Sequence, residues 1–64
     1  MKIKRYFVHF KAGFFCSVDA SSFFEKGNML VFRMDSVPSA EFFIKSVDYV
    51  DQVPLLSESF RVWG

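Results

Sequence analysis

Apolar and polar side chains alternate along most of this chain, which is the pattern of strands that are covered on one face. The clearest case is KIKRYFVHF at positions 2–10. In a strand, one face of this segment would carry Tyr6, Val8 and Phe10, and the other face would carry Ile3, Arg5, Phe7 and His9. The alternation therefore predicts a first strand with one mostly apolar face and one mixed face.

Turn-forming residues divide the rest of the chain into further strands. The sequence KAG at 11–13 predicts a turn into a second strand that starts at Phe14. Gly27 and Asn28 tolerate positive φ and lie between two apolar runs, which predicts a hairpin. For ASSFFE at 20–25 two interpretations stay open: a single helical turn capped by a serine, or a continuation of the second strand through a bulge, which we favour.

Turn-forming residues also divide the second half of the chain into strands. The sequence SVPS at 36–39 predicts another turn, because Pro38 cannot donate to a sheet ladder. The stretch at 40–53 is rich in β-branched and aromatic residues, with a bend expected at Lys45 and Ser46. Pro54 ends that element, and SFRVW at 59–63 predicts an edge strand.

Together these signals predict an all-β fold in which one small domain spans residues 1–64. We expect an antiparallel meander of four to six short strands, with no helix longer than one turn. In so short a chain the meander is expected to form a curled sheet or an open SH3-like barrel, because curling gives every strand one covered face.

Three Phe-Phe doublets raise the question of what covers the second face of the sheet: Phe14-Phe15, Phe23-Phe24 and Phe42-Phe43. Neighbouring side chains of a strand point to opposite faces, so each doublet places one ring on each side. We expect Phe14 and one ring of each other doublet to be buried. The remaining rings need a cover, either the C-terminal segment at 54–64, including Leu55 and Leu56, or another molecule.

Composition limits how the domain is stabilised. The chain has 64 residues, ten of them Phe, and Cys16 is its one cysteine. A core of this size supplies only about 3–5 kcal/mol, and no disulfide can form within the chain. Dense aromatic packing or oligomerisation is therefore the expected source of stability.

Charge is small in total but unevenly distributed. The net charge is +1, whereas residues 1–33 carry six basic and two acidic side chains and residues 34–64 carry two basic and five acidic ones. Two interpretations follow: oppositely charged strands pair within one sheet, or a basic surface lies opposite an acidic one and favours head-to-tail association.

Catalytic chemistry is not indicated. His9 has no nucleophile or orienting carboxylate beside it in the sequence, and Cys16 shares the parity of Phe14 and Val18, which predicts a buried, inert thiol. No phosphate-binding loop, nucleophile elbow or zinc motif is present. We expect neither an enzyme nor a cofactor or metal site.

The favoured hypothesis is a non-enzymatic interaction module that self-associates or docks on a larger protein through an aromatic face. Aromatic residues and Arg are enriched at interface hot spots. The expected anchors are Phe15, Phe24, Phe43 and Trp63, with Arg33 and Arg61 as rim contacts. A chain this short is suited to act by occlusion, as a small inhibitor or accessory factor.

The alternative is a nucleic-acid-binding module that uses a basic and aromatic first strand. Its expected contacts are Lys2, Lys4, Arg5, Phe7 and Lys11, the residue types with which small barrels hold single strands. A pI near 7.9 and the acidic second half weigh against it.

Location follows from what the sequence does not contain. His9, Lys11 and Gly13 interrupt the apolar part of the N-terminal region, so we expect no signal peptide. No run of eighteen apolar residues predicts a membrane helix. With a free thiol, this predicts a cytoplasmic protein that does not insert in membranes.

Overall fold

A computed structural model describes residues 2–54 and 58–64. Those residues form seven strands: β1 (Lys4–Phe10), β2 (Phe15–Ala20), β3 (Ser22–Lys26), β4 (Met29–Met34), β5 (Val37–Phe43), β6 (Val47–Val53) and β7 (Phe60–Trp63). A 3-10 helix, Ile44–Ser46, separates β5 from β6 at the expected bend. The all-β prediction is confirmed. The strands exceed the expected four to six because the chain also bends at Ser21, which divides the second predicted strand into β2 and β3.

The strands form two antiparallel sheets that are not closed into a barrel. The four-stranded sheet has the order β2-β1-β6-β7 and the three-stranded sheet the order β3-β4-β5. They meet at Ser21, whose backbone N–H and side-chain hydroxyl both donate to the carbonyl of Arg33, at 2.9 and 3.0 Å. The same hydroxyl accepts from the backbone N–H of Asp35 at 2.9 Å. Ser21 therefore fixes the corner between the sheets.

Turn chemistry decides where the hairpins lie. Gly27 has φ +61° in the predicted hairpin between β3 and β4. The expected turn at 36–39 was wrong: the chain turns at 35–36, where Asp35 adopts φ +59°. Pro38 lies inside β5, which is tolerated because β5 is an edge strand and the register shifts beside it.

The core lies between the sheets and follows the alternation. The fully enclosed side chains come from β1, β2, β4 and β6: Tyr6, Val8, Ala20, Leu30, Phe32, Val47 and Val50. The rings of Tyr6, Phe23 and Phe32 meet with centroid separations of 5.2–5.3 Å. An aromatic trio thus joins β1 of one sheet to β3 and β4 of the other.

The doublets divide between the two faces, with one exception. Phe23 and Phe42 pack against the core, whereas Phe24, Phe43 and Phe15 are 37%, 52% and 58% exposed. Phe14 was expected to be buried and is 61% exposed, because it lies between the turn at 11–13 and the start of β2. Its ring stacks on Phe10 at 4.7 Å.

The C-terminal strand extends a sheet instead of folding across an outer face, contrary to one of the two expectations. β7 pairs with β6 and lengthens the four-stranded sheet, while Val62 and Trp63 pack against the core cluster. The Trp63 indole N–H donates to a Glu25 carboxylate oxygen at 2.9 Å. Leu55 and Leu56 lie outside the described residues. Among the described residues, the outward rings of Phe15, Phe24 and Phe43 therefore keep much of their surface exposed.

Candidate interaction surfaces

The outward aromatic side chains form two surfaces on opposite sides of the molecule. Phe32 and Leu30 face the core from β4, so Val31 and its cross-strand partners face outward from the three-stranded sheet. Tyr6 and Val8 face the core from β1, so His9 and its partners face outward from the four-stranded sheet. Two packed sheets direct their outer faces in opposite directions.

The outer face of the four-stranded sheet carries a row of stacked groups that we call the His9 row: Phe15, His9, Tyr49 and Arg61. The row crosses β2, β1, β6 and β7 in that order. The rings of Phe15 and His9 are 5.4 Å apart, and those of His9 and Tyr49 only 4.2 Å apart and 13° from parallel. The Arg61 guanidinium carbon lies 4.3 Å from the centroid of Tyr49.

Stacking within the His9 row determines what the row offers to a partner. Tyr49 lies between His9 and Arg61, so both of its ring faces are occupied. His9 has Tyr49 on one side and Phe15 on the other. A nucleobase that stacks on an aromatic platform needs a free ring face. The centre of the row presents ring edges, and of its rings only Phe15, at one end, keeps substantial exposed surface.

Charges on this outer face are largely compensated. Arg5 donates to the Asp19 carboxylate through Nε at 3.0 Å and through a terminal nitrogen at 3.4 Å. This hydrogen bond lowers the pKa of the Asp19 carboxyl and raises that of Arg5. His9 Nε2 lies 3.3 Å from an Asp51 carboxylate oxygen. That nitrogen is enclosed but forms no aligned hydrogen bond with the described residues, so the two side chains are in close contact without a hydrogen bond.

The strand pairing explains how the uneven charge distribution is accommodated. β1 carries Lys4 and Arg5 and pairs with β6, which carries Asp48 and Asp51. A basic strand therefore lies beside an acidic one, as in the first of the two interpretations of the charge distribution.

The outer face of the three-stranded sheet forms the Phe24/Phe43 face, made of Phe24, Met29, Val31, Arg33, Glu41 and Phe43. Val31 lies in register between Phe24 and Glu41, and it is only 4% exposed although it lies outside the core cluster. Its outward neighbours therefore close over it. Phe43 lies in register with Met29 in the adjacent row.

Arg33 belongs to this face and is held by a ring. Its guanidinium carbon lies 5.1 Å from the centroid of Phe24, a cation–π contact. Its Nε is enclosed and makes no hydrogen bond with the described residues. Within that part of the chain no carboxylate pairs with Arg33, so its charge is available to a partner.

The expected protein-binding residues are thus divided among three places. Phe15 and Arg61 lie in the His9 row, whereas Phe24, Arg33 and Phe43 lie on the Phe24/Phe43 face. Trp63 lies at the core edge, bonded to Glu25. Tyr49 and Val31 also form these surfaces, and neither was predicted as a surface residue. Their parity was visible, but the strand register that places them was not.

The residues expected to bind nucleic acid do not form one patch. Lys2, Lys4 and Arg5 line an open cleft of about 410 Å³ at one end of β1. Lys11 lies in the turn at the other end, roughly 20 Å away at about 3.3 Å per strand residue. Phe7, between them, is half-buried and its ring lies 5.4 Å from Phe15.

Metal-binding and nucleophilic groups do not converge in the part of the chain that the structure describes. No three His, Cys, Asp or Glu side chains there are placed to hold a metal ion. Cys16 is half-buried on the inner face of β2, and its burial raises the pKa of the thiol. Residues 2–54 and 58–64 also contain no helix with the length and apolarity needed to cross a membrane.

Comparison with known proteins gives no assignment. No model of a protein family, no curated protein and no solved structure matches this chain. Any functional conclusion therefore has to come from the surfaces themselves.

Proposed function

We propose that this protein is a non-catalytic interaction module that binds another protein through its Phe24/Phe43 face. The observation that carries the proposal is the pair of exposed rings, Phe24 and Phe43, beside the enclosed Val31. Exposed aromatic groups that continue an apolar surface are typical of protein interaction sites, and aromatic residues are enriched there. Arg33, stacked on Phe24, adds a charge oriented by the ring.

The Phe24/Phe43 face presents two exposed rings, Phe24 and Phe43, whereas the His9 row presents one, Phe15. Within the His9 row the ring faces pack on one another, and nearby Arg5 is paired with Asp19. On the Phe24/Phe43 face, Phe43 keeps half of its surface exposed and Arg33 has no carboxylate partner among the described residues. Association through this face would remove both exposed rings, Phe24 and Phe43, from water.

A second copy of the chain is the partner we expect first. The net charge of +1 gives little electrostatic repulsion between copies. A small core also gains stability when association covers its outer rings. Occlusion of a larger protein, as by an inhibitor or accessory factor, would use the same face. We place this activity in the cytoplasm, in keeping with the free Cys16 thiol.

Light scattering after size exclusion tests the proposal. The wild-type chain should increase in molar mass with concentration, because association is bimolecular. Phe43→Ala should remain monomeric over the same range. Phe15→Ala is the matched control, since it removes a similarly exposed ring from the opposite side and should associate like the wild type.

Two results would contradict self-association through this face. A wild-type chain that stays monomeric at every concentration would rule out self-association. If Phe15→Ala is monomeric while Phe43→Ala still associates, the association surface is the His9 row instead.

Nucleic-acid binding has less support. It would need free ring faces and a continuous basic path, whereas the central rings of the His9 row are stacked and Lys11 lies far from Lys2 and Lys4. If the protein binds nucleic acid, its affinity for an oligonucleotide should fall steeply as salt is raised. The Arg5→Ala, Lys11→Ala variant should lose this binding.

A further inference from the structure

We infer that the cleft between the start of β1 and the end of β6 binds a small organic anion with an apolar body. Three basic residues line it, Lys2, Lys4 and Arg5, and its volume of about 410 Å³ lies within the range of small-molecule sites. This site is separate from the Phe24/Phe43 face and does not depend on it.

Arg5 gives the cleft a pre-oriented cation. The Asp19 carboxylate holds its guanidinium side-on through Nε and one terminal nitrogen. The other terminal nitrogen makes no hydrogen bond with the residues that the structure describes. A guanidinium fixed on one edge loses little conformational freedom when its remaining donors bind a carboxylate or phosphate. Lys2 and Lys4 add two further positive charges around the same space.

The rest of the lining is mostly apolar. Ile3, Val53 and Pro54 line the cleft with Gln52, and Ile3 is 49% exposed. Apolar walls with a few convergent polar groups are typical of sites that bind an apolar ligand and fix its orientation by one charged end. Inorganic anions would use only the basic residues, so they should bind more weakly than a ligand that also covers Ile3.

The surroundings favour a small anion over a polyanion. Asp19 and Asp51 lie on the neighbouring outer face, and the next basic residue along β1 is Lys11, beyond the far end of the strand. A phosphate backbone that leaves the cleft would therefore meet carboxylates before it meets another cation. One anionic group suffices to pair with the cations that the cleft contains.

NMR titration of backbone amides in the intact protein tests this inference. Hexanoate and hexyl phosphate are the probes, and they distinguish a carboxylate from a phosphate headgroup. Acetate lacks the apolar body and hexanol lacks the charge. We expect saturable shifts centred on Lys4, Arg5 and Val53 with at least one of the two anionic probes, and much weaker binding of acetate and hexanol.

A charge-matched pair of variants controls for the overall field. Lys2→Gln with Lys4→Gln should weaken binding about tenfold, because two charge contacts to the anionic group are lost. Lys11→Gln with Lys45→Gln changes the net charge equally but leaves the cleft intact, and should bind like the wild type.

Three outcomes would overturn the inference. The first is the absence of saturable binding by both anionic probes. The second is equal weakening by the two double variants, which would indicate a general charge effect. The third is displacement of the probe by a short single-stranded oligonucleotide at far lower concentration, which would assign the cleft to a polyanion.

Discussion

His9 and Tyr49 stack face to face across β1 and β6, with ring centroids 4.2 Å apart and planes 13° from parallel. The two strands are adjacent at the centre of the four-stranded sheet, and His9 and Tyr49 are direct cross-strand partners. Arg61, on β7, covers the other side of Tyr49. The stack therefore links three strands on a face that the hydrophobic core does not reach.

We expect Tyr49→Ala to lower the free energy of unfolding by about 2 kcal/mol. The variant loses an aromatic pair, worth about 0.5–1.5 kcal/mol, and a cation–π contact, worth about 0.5–1 kcal/mol. Urea denaturation measures the change. Tyr49→Phe keeps both contacts and should stay close to the wild type. Equal stability of the Ala and Phe variants would show that the stack contributes nothing.

Trp63 and Phe43 are expected to respond differently to the same substitution. Trp63 packs on the core cluster and donates to Glu25, so Trp63→Ala should destabilise the domain by about 3 kcal/mol. Phe43→Ala removes a ring that is half exposed and should change stability by less than about 1 kcal/mol. Thermal denaturation and light scattering on the same samples separate folding from association.

This expectation departs from the sequence-based role of Trp63 as an exposed anchor. A Trp63→Ala variant that is as stable as the wild type but no longer associates would restore that role. Glu25→Gln is a useful companion, because it keeps an acceptor for the indole N–H and should retain most of the stability.

In regular strands the sequence predicted which side chains face the core. Period-two alternation correctly assigned Tyr6 and Val8 to the core, and Gly27 correctly marked a hairpin because its positive φ is a local requirement. The same local reasoning was wrong for Phe14. The alternation was extended to this residue, which lies one position before the first residue of β2. The turn at Asp35 was not predicted, because this residue is not a glycine and its type does not by itself require the positive φ that it adopts.

The candidate surfaces depend on relationships that local patterns do not contain. The bend at Ser21 sends Phe15 and Phe24 to opposite sides of the molecule, and it is held by contacts to Arg33 and Asp35, twelve or more residues away. Trp63 points inward beside a register shift between Val50 and Asp51. Register and long-range hydrogen bonds follow from the assembled sheets, so the sequence yielded residue types but not their grouping.

Cys16 should react slowly with thiol reagents in the folded protein. Its position against the core raises the pKa of the thiol, and the thiolate is the reactive species. We expect its alkylation by iodoacetamide at pH 8 to be at least about tenfold slower than in urea. Ser17→Cys in a Cys16→Ala background places a thiol on the outer face and should react faster. Equal rates for the two thiols would contradict burial of Cys16.

Asp19 should contribute to the loss of stability in acid. The hydrogen bond from Arg5 lowers the pKa of the Asp19 carboxyl in the folded state, below its value of about 3.9 in an unfolded chain. The unfolded state therefore binds this proton more readily. The stabilisation is complete above the unfolded pKa and disappears as pH falls through the folded pKa, so the window lies below about pH 4.

Comparison of Asp19→Asn with the wild type isolates this contribution. At pH 7 the variant should be slightly less stable, because the pair is exposed and such pairs contribute little. The difference should vanish toward pH 2 and shrink in high salt, which screens exposed charges. Asp48→Asn changes an exposed carboxylate on β6 that forms no ion pair among the described residues, and controls for net charge. A difference that stays constant from pH 7 to pH 2 would mean that Asp19 stabilises the fold through something other than its ionised carboxylate.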